Sequence, residues 1–438
     1  MYKTLSAPLM VQWEVTPSCN HNCVHCYNHW RTKEEVASRI TCDDVTSRKI
    51  AAEMISHKVF ALNITGGEPL LVIKQISPLL ETLSGNNVQV AMNSNLTLLT
   101  RETAQLLKEC GVKSVLVSVP SGDEETCDLI TGRSNSLKQI TRGISLAQKM
   151  GIRLFANMVV SRMNKGQIEK TAEFVRSLGI KHFAASRASG PSEGKGFTSE
   201  ILGGEEFRHM QEDLENAGDR FGLKINSIET NPACAYGESV PRQGYKFCSA
   251  GKTTCTIGFD GMIRPCNRVN FPYGNISDGL LNCWQNMEDW RTDKWIPKEC
   301  SSCRLKSVCG GGCKADAIRT FGDITMPDPL RTDTPIPQTP AVRIAEQSIC
   351  DSPLYVNPSL LRRSEKFGSI LFLSLSQWVA VNHELSALLQ KKESLSVNDI
   401  TRALSVTEDD ACATIAVLVK KGVLSKNRKG VTPSGGQC

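Results

Sequence analysis

Cys19-Asn-His-Asn-Cys23-Val-His-Cys26 puts three thiols on one short segment, spaced C-x₃-C-x₂-C. Three thiolates on one loop bind three irons of a [4Fe–4S] cube and leave the fourth iron to another ligand. Four protein thiolates close such a cluster, whereas three keep a position for chemistry, as open catalytic metal sites do. The same residues also suit a zinc knuckle with His21 or His25 as fourth ligand. Gly66-Gly67-Glu68-Pro69 is a second candidate. Alone it reads as a turn, but paired glycines let backbone approach a ligand closely, and a carboxylate accepts hydrogen bonds from an ammonium group. A third group runs Cys248, Cys255, Gly261-Met-Ile-Arg-Pro-Cys266, Cys300-Ser-Ser-Cys303, Cys309, Cys313 and finally Cys350. Clustered thiols in a long chain more often hold metal than form disulfides.

The whole chain sets the frame for these groups. Its 438 residues correspond to about three domains. The apolar share of 40 % suffices for real cores. Lys and Arg number 51 against 45 Asp and Glu, a net +6 too weak at this length to argue for nucleic acid. No run of about 18 apolar residues predicts a membrane span. Residues 1–9 lack the basic-then-apolar form of a secretory signal, so a reducing, cytoplasmic setting is expected. Of the 18 cysteines, Cys42 and Cys234 are scattered singles and Cys438 ends the chain. Cys110, Cys127, Cys283 and Cys412 read as packed thiols.

The elements that must position the first two motifs lie within residues 9–190. Val11, Trp13 and Val15 alternate with polar neighbours, as in a strand. Further strands are expected at 59–65, 88–92, 112–119, 152–160 and 182–185. Helices lie between them, one opened by a capping box at Thr41-Cys-Asp-Asp44. Gly111, Gly151 and Gly179 each follow a helical pattern and precede a β-branched residue, a helix end leading into a strand. Ile168, Ala172, Val175 and Leu178 give one apolar helix face. About six strand–helix units predict parallel strands in a partial, open (β/α)₆ barrel, short of the eight that close. Residues 186–250 are irregular apart from one helix near 205–217, and 248–313 show little periodicity. A proline-rich linker covers 327–340. Beyond Tyr355, two strands (370–373 and 379–381) and three helices (384–390, 397–404 and 408–421) form a small unit.

Together the triplet, the Gly-Gly-Glu-Pro turn and the strand–helix repeat resemble the radical S-adenosylmethionine (SAM) superfamily. The resemblance implies that Cys19, Cys23 and Cys26 hold the catalytic [4Fe–4S] cluster and that SAM chelates its open iron. His25 would lie near the adenine, and Gly66, Gly67, Glu68 and Pro69 near the SAM amino group. Ser94-Asn95-Leu96 stands where the family often has Thr-Asn-Gly, so its third position departs. Ser118 is kept from a Ser-Leu-Asp-Gly strand end, whereas Pro120 and Ser121 replace Asp-Gly. Asn157 and Arg187 complete the implied SAM contacts. One electron would split SAM to a 5′-deoxyadenosyl radical that takes a hydrogen atom from substrate, with no catalytic acid–base pair needed beyond the cluster.

The second cysteine block resembles the SPASM extension of these enzymes, C-x₉₋₁₅-G-x₄-C, C-x₂-C-x₅-C-x₃-C and a last Cys. By that resemblance Cys248, Cys255, Cys266 and Cys313 hold one auxiliary [4Fe–4S] cluster, and Cys300, Cys303, Cys309 and Cys350 a second. If Cys255 is only packed, the first auxiliary cluster has an open iron. The last unit resembles peptide-binding recognition elements of winged-helix type, through Glu365-Lys-Phe-Gly-Ser-Ile-Leu-Phe372, Val381-Asn382-His383-Glu384 and Leu418-Val-Lys-Lys-Gly-Val-Leu424. Such elements bind a leader peptide as an added strand. The expected domains are a radical SAM partial barrel (1–235), a SPASM domain (236–350) and a winged-helix-like recognition domain (351–438). The expected function is a cytoplasmic maturase. It would take hydrogen from a ribosomally made precursor peptide to close a thioether or carbon–carbon link, with electrons from a flavodoxin or ferredoxin. Two alternatives stand beside it. One is a sulfatase-maturing formylglycine enzyme, although that family usually has Asp where this chain has Asn267. The other is a zinc-stapled winged-helix regulator.

Overall fold

A computed structural model describes residues 4–28, 43–190, 197–334, 336 and 354–426 of the chain. It divides into two units, Ala7–Pro337 and Gln338–Cys438, the second joined by Lys3–Ser6.

The first unit is built on strands β1 (Met10–Glu14), β2 (Ala61–Thr65), β3 (Gln89–Ser94), β4 (Val112–Ser118), β5 (Arg153–Val160) and β6 (His182–Arg187). Each pairs parallel with the next, in sequence order. Strand β7 (Lys224–Asn226) extends the far edge, and β8 (Thr254–Ile257) with β9 (Ile263–Arg264) the near one, giving the order β7-β6-β5-β4-β3-β2-β1-β8-β9. All pairs are parallel except β8–β9. This is the mostly parallel α/β sheet expected from the strand–helix repeat, and the six expected strands appear within a few residues of their places. Strands β7 to β9 were not anticipated.

Alternation along β1 explains its position. Val11 and Trp13 are fully buried on one face, while Gln12 and Glu14 point to the other. The crossover helices Ile73–Gly85, Arg101–Glu109, Ser136–Lys149 and Ile168–Ser177 bury their apolar faces. Gly111, Gly151 and Gly179 take the left-handed conformation after three of these helices, as the sequence pattern requires. One start differs from expectation. The helix Asp44–Ser56 is capped by Asp43, whose carboxylate accepts from Thr46 N at 2.9 Å. Thr41 lies outside the described residues.

The second unit contains β10 (Leu354–Val356), β11 (Leu361–Glu365), β12 (Gly368–Ser374), β13 (Gln377–Val381), β14 (Ser394–Leu395) and β15 (Leu424–Ser425). Strands β11-β12-β13 form one antiparallel sheet and β14-β10-β15 another. Three helices, His383–Lys391, Val397–Leu404 and Glu408–Lys420, fall where the sequence places them. Each is opened by a side-chain cap, from Asn382, Ser396 and Thr407. Leu371, Leu385, Leu389, Ile400, Ile415 and Leu418 centre its core.

Candidate active site

Parallel strands bring their carboxyl ends to one edge of the sheet, where ligands bind in α/β folds. Here that edge borders a cavity of about 360 Å³. Its wall includes Cys19, Cys23 and Cys26 after β1, Gly66, Gly67 and Glu68 after β2, and Ser94 and Asn95 from β3 and its end. Ser118, Asn157 and Arg187 from the ends of β4 to β6 also line it, as does His25. Pro69 sits behind the wall, buried at the start of a short turn.

The cysteine loop is tied down by groups other than its thiols. Asn22 N donates to Thr131 O (2.8 Å) and Val24 N to Ile130 O (3.0 Å), at the end of the helix Glu124–Thr131. Arg133 Nε donates to Asn20 O (2.7 Å), and Asn20 Nδ2 to Thr97 Oγ1 (2.8 Å). The glycine turn is stitched to the segment just before Cys19. Gly67 N donates to Thr16 O (2.7 Å) and Glu68 N to Ser18 O (2.8 Å). A side chain at Gly67 would collide with the Ser18 carbonyl, so the pair of glycines fixes the distance between the two loops. Asn28 adds a tie that sequence reasoning missed: its Nδ2 donates to Gly66 O at 2.8 Å.

Glu68 is 1 % exposed, and its carboxylate bridges two strand ends. It accepts from Leu70 N (3.1 Å), Ser94 Oγ (2.7 Å) and Asn95 N (2.9 Å). A carboxylate has about four acceptor sites, so one remains for a ligand donor. Burial pushes its pKa up against these hydrogen bonds, and an added cation would relieve that cost. Glu68→Gln would set an N–H against one of these donors. We expect SAM affinity to fall roughly tenfold or more, measured by calorimetric titration; an unchanged affinity removes Glu68 from the site. Burial pulls the His25 imidazole down to about 4, so it is neutral at physiological pH. Leu96, at the departure from Thr-Asn-Gly, takes φ +58°, a left-handed conformation that favours glycine. The helix Ser136–Lys149 makes room for it: a Cβ at Gly143 would meet Leu96 Cβ at 2.8 Å.

Asn157 and Arg187, two more of the expected ligand contacts, are also engaged within the protein. Asn157 Oδ1 accepts from Ser186 Oγ at 2.8 Å. Arg187 is 4 % exposed, and its Nη2 lies 2.9 Å from Asp316 Oδ2 and 2.5 Å from Asp328 Oδ2. Asp316 Oδ1 also accepts from Arg268 Nη2 (2.5 Å) and Ser189 Oγ (2.6 Å). This network joins β6 to the cysteine block and was not foreseen. Three polar atoms on the cavity wall, Arg187 Nε, Arg268 Nε and Glu229 Oε2, are buried with no protein hydrogen bond. Together with the thiols and Glu68, they fit a charged, polar ligand such as SAM.

Cys248, Cys266 and Cys313 line the same cavity. Cys255 does not join them. It pairs in register with Val11, whereas Thr256 pairs with the cavity-lining Gln12, so strand alternation turns the Cys255 side chain to the opposite face. There it is 1 % exposed, and burial and the neighbouring Cys283 thiol push its pKa up strongly. We therefore expect Cys255→Ala to leave the iron content of the purified protein unchanged while lowering stability by about 1 kcal/mol; loss of iron would restore it as a ligand. Cys300, Cys303 and Cys309 sit together further along the block. Cys350 lies outside the described residues. None of the described cysteines forms a disulfide. Among the described residues no three His, Cys, Asp or Glu side chains converge as round a single ion, whereas a four-iron cube spreads its ligands over separate irons.

A family model for the radical SAM superfamily matches residues 13–175, which contain both the cysteine loop and the glycine turn. The chain is similar to radical SAM enzymes over this segment, and it is an enzyme. The match implies SAM and a [4Fe–4S] cluster at the site and speaks against the regulator alternative. One relative is the AdoMet-dependent heme synthase of Methanosarcina barkeri, 26 % identical over 355 residues, covering 75 % of this chain and 97 % of the relative. Another is the mycofactocin maturase MftC of Mycolicibacterium smegmatis, 27 % identical over 336 residues, covering 74 % and 83 %. Among solved structures, Streptococcus suis SuiB bound to S-adenosylmethionine superposes with a TM-score of 0.60 at 20 % identity, covering 75 % of this chain and 78 % of SuiB. SuiB has also been solved bound to its precursor peptide SuiA. No helix among the described residues is long and apolar enough to cross a membrane.

Proposed function

We propose that this radical SAM enzyme modifies a ribosomally made precursor peptide, forming a thioether or carbon–carbon link. The carrying observation is one cavity walled by two thiol groups, Cys19, Cys23 and Cys26 on one side and Cys248, Cys266 and Cys313 on another. When bound, the reduced catalytic cluster and SAM supply a 5′-deoxyadenosyl radical that removes a substrate hydrogen atom. The chain's part is to hold and orient. Glu68 offers its remaining acceptor site to an ammonium group, neutral His25 gives a flat face without charge, and the Arg187 and Arg268 guanidiniums present donors to anionic groups. Ser94, Asn95, Ser118 and Asn157 border the same space.

In this reading residues 1–235 are the barrel and 236–350 a SPASM region. Cys248, Cys266 and Cys313 leave one iron of the first auxiliary cluster open, and Cys300, Cys303 and Cys309 serve a second. These clusters would accept the second electron of a net two-electron oxidation, and a cytoplasmic flavodoxin or ferredoxin would supply the first. The last region (351–438) would bind the leader. Its sheet ends on β13, an edge strand with no further partner among the described residues, a form suited to strand addition. About a quarter of this chain lies outside the match to the heme synthase relative, as an added recognition element would. The sulfatase-maturing alternative is weaker because Asn267 cannot take up a proton as a carboxylate does. Its Nδ2 is engaged with the Tyr27 hydroxyl at 2.6 Å.

The test is coexpression with short peptides encoded beside the gene. A modified peptide loses the mass of two hydrogens per link, and unmodified peptides throughout would refute the reading. A chain ended at Pro353 keeps Cys350. It should still cleave SAM but bind the full-length peptide at least about tenfold more weakly by fluorescence anisotropy. Unchanged affinity would remove the leader-binding role.

A further inference from the structure

We infer that Cys234 is the fourth thiolate of the second auxiliary cluster, completing the set of Cys300, Cys303 and Cys309. The inference rests on the auxiliary-cluster reading above but changes its ligand set, because the motif resemblance supplies Cys350 for this place.

Cys234 lies on a short turn, Ala233–Tyr236, far upstream of the cysteine block. The turn is nonetheless built into that block. The backbone N–H of Ala233 donates to the Cys309 sulfur, alongside those of Gly311 and Gly312. Three amides aimed at one sulfur are the usual environment of a cluster thiolate, and they tune its potential. Cys234 is tied twice to Thr332. Thr332 N donates to its sulfur at 3.4 Å, and Thr332 Oγ1 to its carbonyl at 2.9 Å. The thiols acting on Cys300 are Cys309, Cys234 and Cys303, so all four share one neighbourhood.

The surrounding loop is shaped to that group. Gly311 has φ +83°, and a Cβ there would meet Pro297 Cγ at 2.6 Å and lie 3.6 Å from the Cys300 sulfur. On cluster assembly each of the four thiols gives up its proton and forms one iron–sulfur bond.

The experiment uses full-length protein reconstituted anaerobically with iron and sulfide, carrying Ala at Cys19, Cys23 and Cys26 so that only auxiliary clusters contribute. Iron and sulfide per chain and the electron paramagnetic resonance of the dithionite-reduced protein are read for Cys300→Ala, Cys234→Ala and Cys350→Ala. Expected are the same loss, up to about four irons, or the same altered signal, for Cys300→Ala and Cys234→Ala. Cys350→Ala should match its parent. A change in Cys350→Ala comparable with Cys300→Ala overturns the inference and leaves the auxiliary-cluster reading intact. No change in Cys300→Ala overturns both. Should Cys234→Ala fail to fold, Cys234→Ser decides: shifted g-values at parental iron content support ligation, and parental g-values refute it.

Discussion

Chain carrying Ala at Cys19, Cys23 and Cys26 forms no 5′-deoxyadenosine from SAM under dithionite, a fall of more than about 10⁴-fold to background. Reductive cleavage requires SAM on an iron that the protein leaves open, and these three thiols line the cavity beside the Gly66-Gly67 turn. The loop itself should survive the substitution. Its hydrogen bonds to Ile130, Thr131, Thr97 and Arg133 come from backbone and amide groups that Ala does not disturb. The apo variant is therefore expected to keep its circular dichroism spectrum and to melt within a few degrees of the apo parent. Iron per chain should fall by one cluster while the auxiliary content stays. Formation of 5′-deoxyadenosine at the parental rate would show that the radical source lies elsewhere in the chain.

The sequence made some of this site readable and hid the rest, for physical reasons that differ by residue. Strands β1 to β6 run five to eight residues with apolar positions sealed under helices, which is long enough for a pattern to stand out. Strands β8 and β9 have four and two residues, too few to reveal a period. That gap matters, because the facing of Cys255 follows only from the register of β8 against β1. The Cys-x₃-Cys-x₂-Cys loop and the glycine turn are local motifs and could be read directly. The ties of Asn28 to Gly66 and of Ser94 to Glu68 join separate loops, and nothing in either segment alone announces the other. Cys234 is the extreme case: a lone cysteine in an irregular stretch looks unremarkable until the fold brings it to the Cys309 loop.

Arg187 illustrates the same limit with an energetic consequence. Its place at the end of β6 suggested a contact with SAM, yet its charge is met by Asp316 and Asp328, both from beyond the barrel segment. Asp316 is the hub. Arg187, Arg268 and Ser189 all reach its two oxygens, and it is only 5 % exposed. The two guanidiniums hold its carboxyl well below the usual carboxylate range despite burial. Replacing a well-matched buried ion pair wholesale is often neutral, but removing one partner strands the other's charge away from water. Asp316→Ala strands part of two. The expected cost is about 3–5 kcal/mol, a fall in Tm of roughly 5 °C for a unit of this size, measured by scanning calorimetry on apo protein. Asp316→Asn keeps the shape but turns an amide N–H toward one of the arginines, so it should recover little. Because Arg187 and Arg268 also line the cavity, both variants should bind SAM or peptide more weakly at temperatures where the fold persists. A Tm within 1 °C of the parent would mean that water or the neighbouring Asp328 carries the charge instead, and that Asp316 is not what holds β6 to the cysteine block.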